Sequence, residues 1–173
     1  RPARWGWSSA GGFPSPPNVR FRVAEPPERR LVWRLNPDAG TAVEKSGRTI
    51  PIRPFLGMIG MPPAEPGQHS TIPPRATGGN LDCKELIEGA RLLLPISVDG
   101  ALFSAGDCHA RQGDGEVSQL GIECPVEHAE LTLTVLDEPR LQTPVAWTPE
   151  AWLTFGFDED LDEAAAIAVD AML

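Results

Sequence analysis

The chain is 173 residues long, 41% hydrophobic and 23% charged, with a formal net charge of −9. This length allows one full hydrophobic core, or one domain plus part of another, and the composition is typical of a soluble globular protein. No apolar run is long enough to cross a bilayer and no signal peptide is recognisable, so no membrane association is expected. The 19 prolines and 17 glycines favour many short elements joined by turns, which predicts a mainly β fold rather than a helix bundle.

The charges are distributed unevenly along the chain. Residues 1–60 contain ten of the fifteen Lys and Arg residues and only four acids, whereas the remainder carries five basic and twenty acidic residues. A basic segment could bind nucleic acid, but the arginines are spaced along apolar runs without an RNA-binding pattern. We therefore expect the basic segment to pair with the acidic remainder or with absent parts of a larger protein, and we predict no nucleic-acid partner.

The three cysteines, Cys83, Cys108 and Cys124, form no CxxC motif, and any disulfide scheme leaves one of them over. Reduced thiols and a cytoplasmic location are the simplest interpretation. The chain starts without Met and stops within a predicted helix, so we expect it to be part of a larger protein.

In chain order, we predict an N-terminal arm and β segment over residues 1–53. It contains a Trp5-Gly6-Trp7 loop or extended arm, strands over 19–23 and 31–35, and a strand over 49–55 that its prolines confine to a sheet edge. A central β domain follows over residues 54–157, with a long irregular loop over 62–80 and a short helix over 82–89.

The rest of the central domain is predicted to be a β-meander. Asp99-Gly100 predicts a hairpin between residues 92–98 and 101–105, and the apolar alternation over 131–136 predicts a further strand. One or two strands are expected over 145–157. Residues 158–173 then predict a helix with Asp160 as its N-cap, which begins an α+β portion.

The stretch from Gly100 to Glu123 has an unusual density of short polar side chains between two strand-like runs. A tight turn at Gly113-Asp114-Gly115 would place His109 opposite Gln119 and make Glu123 a diagonal neighbour of Asp107. The sequence therefore predicts Asp107, His109 and Glu123 on one patch of sheet around a gap left by Gly121. A slip of one residue in register would scatter them.

Several ordered motifs over roughly residues 54–173 together resemble the acetamidase/formamidase family. They are Pro73-Pro74, Gly78-Gly79-Asn80-Leu81-Asp82, Leu94-Pro95-Ile96, Gly100-Ala101-Leu102-Phe103, Gly106-Asp107-Cys108-His109-Ala110, Gln112-Gly113-Asp114-Gly115-Glu116 and Ile122-Glu123. The resemblance implies hydrolysis of formamide or acetamide to a carboxylate and ammonia, β-sandwich domains with a small α+β portion, and a homo-oligomer.

The resemblance implies eight site residues, which we assign to three groups by the chemistry of their side chains. They are catalytic Asp107, His109, Glu116 and Glu123; substrate-binding Asn80 and Gln112; and metal-binding Asp82, Asp107, His109 and Asp114. Zinc would accept nitrogen and oxygen ligands from Asp107, His109 and Glu123, whereas calcium or magnesium would prefer oxygens from Asp107, Asp114 and Glu116. Glu116 or Glu123 is then the general base.

Other interpretations of these residues stay open. Cys108 could act as a nucleophile, although its predicted orientation and acidic surroundings argue against it. Asp82 could be a helix cap with Glu85, and Asp114 a plain turn residue. At the level of function, the alternatives to an amidohydrolase are a non-catalytic domain that binds a metal or small ligand, and a chain that needs a complementary chain to complete its site.

Overall fold

The computed structural model describes residues 1–10, 27–116, 120–137 and 141–173. The chain divides into two compact units, one formed by residues 1–54 and 108–129 and the other by residues 55–107 and 130–173. We refer to them as unit 1 and unit 2. The three-part division drawn from the sequence stays a prediction.

The described residues form eleven strands and one α-helix. These are β1 (Trp5–Ala10), β2 (Arg29–Asn36), β3 (Thr41–Glu44), β4 (Thr49–Pro51), β5 (Phe55–Gly60), β6 (Gly78–Asn80), β7 (Arg91–Leu93), β8 (Ser104–Arg111), β9 (Ile122–Glu123), β10 (Val145–Trp147), β11 (Trp152–Thr154) and α1 (Leu161–Asp170). A single turn of 3₁₀ helix at Asp114–Glu116 stands between β8 and β9. The sheets are antiparallel, so the prediction of a mainly β fold with a C-terminal helix is confirmed.

Unit 1 is built on strands in the order β4-β3-β2-β1-β9-β8. Its core contains Trp33 and Leu35 from β2, Ala42 from β3 and Ile122 from β9. The predicted strand over 31–35 lies within β2, and β4 is an edge strand as its prolines required. The strand predicted over 19–23 lies outside the described residues.

The Trp5-Gly6-Trp7 segment is a strand, and its prediction as a loop was wrong. It forms the start of β1, which pairs with β2 on one side and with Glu123 of β9 on the other. A β-carbon at Gly6 would lie only 2.6 Å from the Glu123 carbonyl oxygen. The glycine that indicated a loop is therefore the residue that allows two backbones to approach closely.

Unit 2 contains the β5-β6 pair and a three-stranded sheet in the order β11-β10-β7. The hairpin predicted at Asp99-Gly100 is wrong, because β7 pairs with β10 instead of with the segment that follows the turn. A turn does exist there, with an Ala101 N–H to Val98 carbonyl bond of 3.1 Å. The positive φ of Ala101 and Leu102 then turns the chain out of strand geometry.

Two further predicted elements of unit 2 are absent from its described residues. Residues 82–89 form turns instead of a helix, because Asp82 has a φ of +43° and donates its amide to Gly57 at 3.0 Å. Residues 131–136 have no strand pairing, and their apolar side chains are exposed, with Val135 78% exposed.

The C-terminal elements of unit 2 agree with their predictions. Asp160 caps α1 by accepting hydrogen bonds from the amides of Asp162 and Glu163. The Thr154 hydroxyl donates to the Ala168 carbonyl at 2.7 Å, which fixes β11 against the helix. Among the described residues, no helix has the length and apolar character needed to cross a membrane.

Candidate active site

A β-bulge shapes the end of β8 where most of the predicted site residues lie. His109 pairs with Glu123 and Arg111 pairs with Ile122, so two steps along β8 correspond to one step along β9. Ala110 is the extra residue, and its carbonyl accepts a hydrogen bond from the Arg53 amide at 2.9 Å. Such a bulge bends the strand and redirects the neighbouring side chains.

The bulge places His109 directly opposite Glu123, so the predicted pairing of His109 with Gln119 is wrong. His109 is only 2% exposed, and its Nδ1 lies 3.2 Å from Glu123 Oε1. A carboxylate oxygen is an acceptor, so the contact is favourable when Nδ1 carries a proton. Glu123 therefore lies in position to orient the imidazole.

Gly121 supports this pair in two ways. Its amide donates to Glu123 Oε1 at 3.1 Å, which holds the carboxylate in place. A β-carbon at this position would lie 3.1 Å from His109 Nδ1 and 2.8 Å from the Arg111 carbonyl oxygen. The gap predicted beside Gly121 is therefore filled by the His109 ring.

Glu116 completes a three-residue group with His109 and Glu123. One ligand atom from each, a ring nitrogen or a carboxylate oxygen, lies within 4.8 Å of the other two. Both carboxylates are half-buried and the imidazole is buried. Glu116 comes from the 3₁₀ turn, whereas the other two come from paired strands. One nitrogen and two oxygen donors at this spacing suit a zinc site with three protein ligands.

Asp82 and Asp107 form a second acidic pair, which lies in unit 2. Their carboxylate oxygens approach within 4.8 Å. Burial, followed by the negative charge of Asp107, raises the pKa of the Asp82 carboxyl to about 6. Both residues have a positive φ, +43° for Asp82 and +57° for Asp107, which is uncommon outside glycine and occurs often at functional sites. A bound cation would relieve the repulsion between these carboxylates.

The other three predicted site residues lie outside these two groups. Asn80 ends β6, and its side-chain amide donates to the Ile72 carbonyl at 3.1 Å. Gln112 is 5% exposed and follows β8 directly. Asp114 is exposed in the 3₁₀ turn and belongs to neither of the two acidic groups found among the described residues.

Two contributions to the site were not anticipated from the sequence. The Gly121 amide acts as a donor to Glu123, and backbone donors leave no signal in residue type beyond the glycine itself. The second is the position of Cys108 opposite Cys124, next to the pair of His109 and Glu123. The two sulfurs are 3.6 Å apart. Cys124 is 9% exposed.

Comparisons with known proteins agree with the motifs around this site. A sequence model of the Acetamidase/Formamidase family matches residues 64–139. Over 51 residues the chain is 49% identical to the acetamidase of Mycolicibacterium smegmatis. The aligned segment covers 30% of this chain and 13% of that protein. Residues 64–139 of this chain are therefore similar to the acetamidase/formamidase family.

Solved structures of the acetamidase/formamidase family share this fold over nearly the whole chain. A predicted acetamidase/formamidase of the thermophile Thermoanaerobacter tengcongensis is 31% identical, with a TM-score of 0.80 over 99% of this chain and 54% of that one. The acetamidase of Bacillus halodurans is 26% identical, with a TM-score of 0.79 over 99% of this chain and 56% of that one. The chain thus spans about half the length of these relatives, and the resemblance seen in the motifs is confirmed.

Proposed function

We propose that this chain contributes the catalytic site of an amidohydrolase that cleaves short aliphatic amides, formamide or acetamide, to a carboxylate and ammonia. The observation that carries the proposal is the group formed by His109, Glu116 and Glu123 in a chain similar to the acetamidase/formamidase family. Amides are poor electrophiles, so their hydrolysis needs an activated water, a stabilised oxyanion and a proton for the leaving nitrogen.

The residues of the group have distinct roles in this proposal. Glu123 Oε1 lies 3.2 Å from His109 Nδ1, so the two side chains present an oxygen and a nitrogen side by side. Glu116 lies in the 3₁₀ turn and not in a strand. Its carboxylate is the general base that takes a proton from water. The same carboxylate then returns the proton to the departing nitrogen, since one group can act as base and then as acid.

The donor set of the group fits a divalent metal, and we propose zinc, with calcium as the alternative. His109 and Glu123 would hold the ion, and Glu116 would lie beside it as the base. When bound, it would polarise the amide carbonyl and lower the pKa of water from 15.7 to about 7. The candidate ligand atoms of the three residues lie within 4.8 Å of one another in this structure, which supports the fit.

Ammonia release from formamide and acetamide tests the proposal. We expect the purified chain to release ammonia above the rate of the uncatalysed reaction, and Glu116→Gln to reduce that rate by about 10²–10⁴-fold through loss of the base. Asp114→Asn is the matched control, because Asp114 stands in the same turn but outside the group. Equal rates for the two variants would contradict the role of Glu116.

A second arrangement is favoured by the length of the chain relative to its relatives. The chain covers 54% of the T. tengcongensis protein, so residues from the other half of the family fold could be needed to bind the amide. In that case the chain alone would bind the metal without hydrolysing amides. This arrangement would be supported if ammonia release appeared only when the unmatched half of the T. tengcongensis protein is co-expressed. If the chain retained metal but released no ammonia, either alone or with that half, it would be a binding domain. We further propose a homo-oligomer in the cytoplasm, which light scattering and cell fractionation would test.

A further inference from the structure

The two buried cysteines of unit 1 lie side by side next to the candidate active site. Cys108 and Cys124 are 7% and 9% exposed, and their sulfurs are 3.6 Å apart. Both are free thiols. The mechanism proposed above uses neither of them, so their proximity needs its own explanation.

The strand pairing sets the two cysteines in disulfide geometry. His109 pairs with Glu123, so one step along each strand brings Cys108 opposite Cys124, and the Cys124 amide donates to the Cys108 carbonyl at 2.9 Å. Residues directly opposite in an antiparallel pair have α-carbons about 4.5–5.5 Å apart. Disulfides span α-carbon distances of about 4.4–6.8 Å, so the backbone already satisfies their requirement.

We propose that Cys108 and Cys124 form an oxidation site that a small peroxide converts to a disulfide. The Cys108 carbonyl oxygen lies 3.4 Å from the Cys124 sulfur and can only accept, so Cys124 keeps its proton and Cys108 is the sulfur that attacks the peroxide. Its sulfur takes one oxygen of hydrogen peroxide as the O–O bond breaks, giving a sulfenic acid and water. The Cys124 sulfur then displaces the hydroxyl, and the second water leaves as the S–S bond forms.

The surroundings select the oxidant. A β-carbon placed on Gly6 would lie 3.3 Å from the Cys124 β-carbon, so β1 packs closely against this cysteine. Hydrogen bonding to Cys108, together with burial, raises the pKa of the Cys124 thiol. Bulky disulfides and alkylating reagents are therefore excluded, whereas hydrogen peroxide is close to water in size. We expect slow oxidation that ends in the disulfide, because the second thiol is already in contact.

The disulfide would also affect the candidate active site. An S–S bond is about 2.05 Å long, so the two sulfurs must approach each other by roughly 1.5 Å. His109 and Glu123 are the next residues on the same two strands, and the contact between them is 3.2 Å. A shift of the strands at the cysteines therefore changes the environment of the imidazole.

Peroxide treatment of the Cys83→Ser protein tests the inference, since only the two paired cysteines remain. We expect the intact mass to fall by two hydrogen atoms, both free thiols to disappear, and dithiothreitol to restore them. In Cys83→Ser/Cys124→Ser we expect the mass to rise by oxygen atoms instead, because the sulfenic acid has no second thiol. Thiol counting with and without urea before treatment verifies that each variant is folded.

A gain of oxygen without loss of two hydrogens in the Cys83→Ser protein would overturn the proposal, and so would thiols that do not react.

The imidazole NMR signals give a second readout. We expect oxidation to shift the signals of His109 but not those of His69 and His128, which are exposed. A disulfide that leaves the His109 signals unchanged would contradict the coupling to the site.

Discussion

His109 Nδ1 lies 3.2 Å from Glu123 Oε1, and the Gly121 amide holds the same carboxylate oxygen at 3.1 Å. The contact is almost completely buried, since the His109 side chain is 3% exposed and that of Glu123 is 14% exposed. A buried imidazole beside a carboxylate is an arrangement that suits metal binding or proton transfer.

The first prediction concerns this carboxylate. Glu123→Gln keeps the shape of the side chain but removes the charge that lies beside His109 Nδ1. Loss of such a supporting carboxylate commonly costs about 10–100-fold in metal affinity or activity. Competition with a zinc-binding dye would measure the affinity, with Glu127→Gln as the control, because Glu127 is an exposed acid of the same unit. Unchanged zinc affinity in Glu123→Gln would argue against the arrangement.

The second prediction concerns the space beside Gly121. Gly121→Ala places a methyl group 3.1 Å from His109 Nδ1 and 2.8 Å from the Arg111 carbonyl oxygen. Overpacking of this kind costs about 1–3 kcal/mol in the free energy of unfolding. Urea unfolding would measure it, and Gly113→Ala is the matched control because nothing lies within 4 Å of its β-carbon. Equal losses in the two variants would show that this space is unimportant.

The third prediction concerns pH. Burial and the charge of Asp107 raise the pKa of Asp82 from 3.8 to about 6, so the folded protein holds this proton more tightly than the unfolded chain does. Between these pH values the folded state binds more protons, and the free energy of unfolding contributed by Asp82 must fall as the pH rises. We expect Asp82→Asn to flatten this slope and Asp107→Asn to reduce it, both measured by urea unfolding in the presence of a chelator. A slope that is the same in all three proteins would contradict the assignment.

The fourth prediction concerns the docking of α1 in unit 2. A β-carbon at Gly156 would overlap the Ala164 carbonyl oxygen of the helix, so Gly156→Ala must displace α1. We expect a loss of about 1–3 kcal/mol in stability and faster amide exchange in residues 161–170. Gly106→Ala, with open space at its β-carbon in the same unit, serves as the control. Unchanged exchange in the helix would contradict this packing.

Local chemistry made part of the fold predictable from the sequence. Asp160 was recognisable as a cap because its side chain satisfies helix amides that have no other partner. The predictions at Trp5-Gly6-Trp7 and Asp99-Gly100 were wrong because residues distant in sequence decide these structures. Gly6 packs against the Glu123 backbone, and β7 pairs with β10. Nonlocal pairings of this kind leave no periodic signal in a short segment.

The geometry of the candidate site could not be predicted from the sequence. His109 and Glu123 were both identified, yet their direct pairing depends on one extra residue at Ala110, whose carbonyl turns to the Arg53 amide. A single inserted residue changes the register of every position beyond it. The Asp82 and Asp107 pair depends similarly on two positive φ values that residue type alone does not indicate.

Zinc stoichiometry tests the central claim most directly. The purified chain is dialysed against zinc chloride, then against buffer, and its metal content is measured by ICP-MS beside His109→Ala and Asp114→Asn. The account predicts one tightly held zinc ion per chain in the wild type and in Asp114→Asn, and loss of that ion in His109→Ala. Equal zinc content in all three proteins, or none in the wild type, would contradict it.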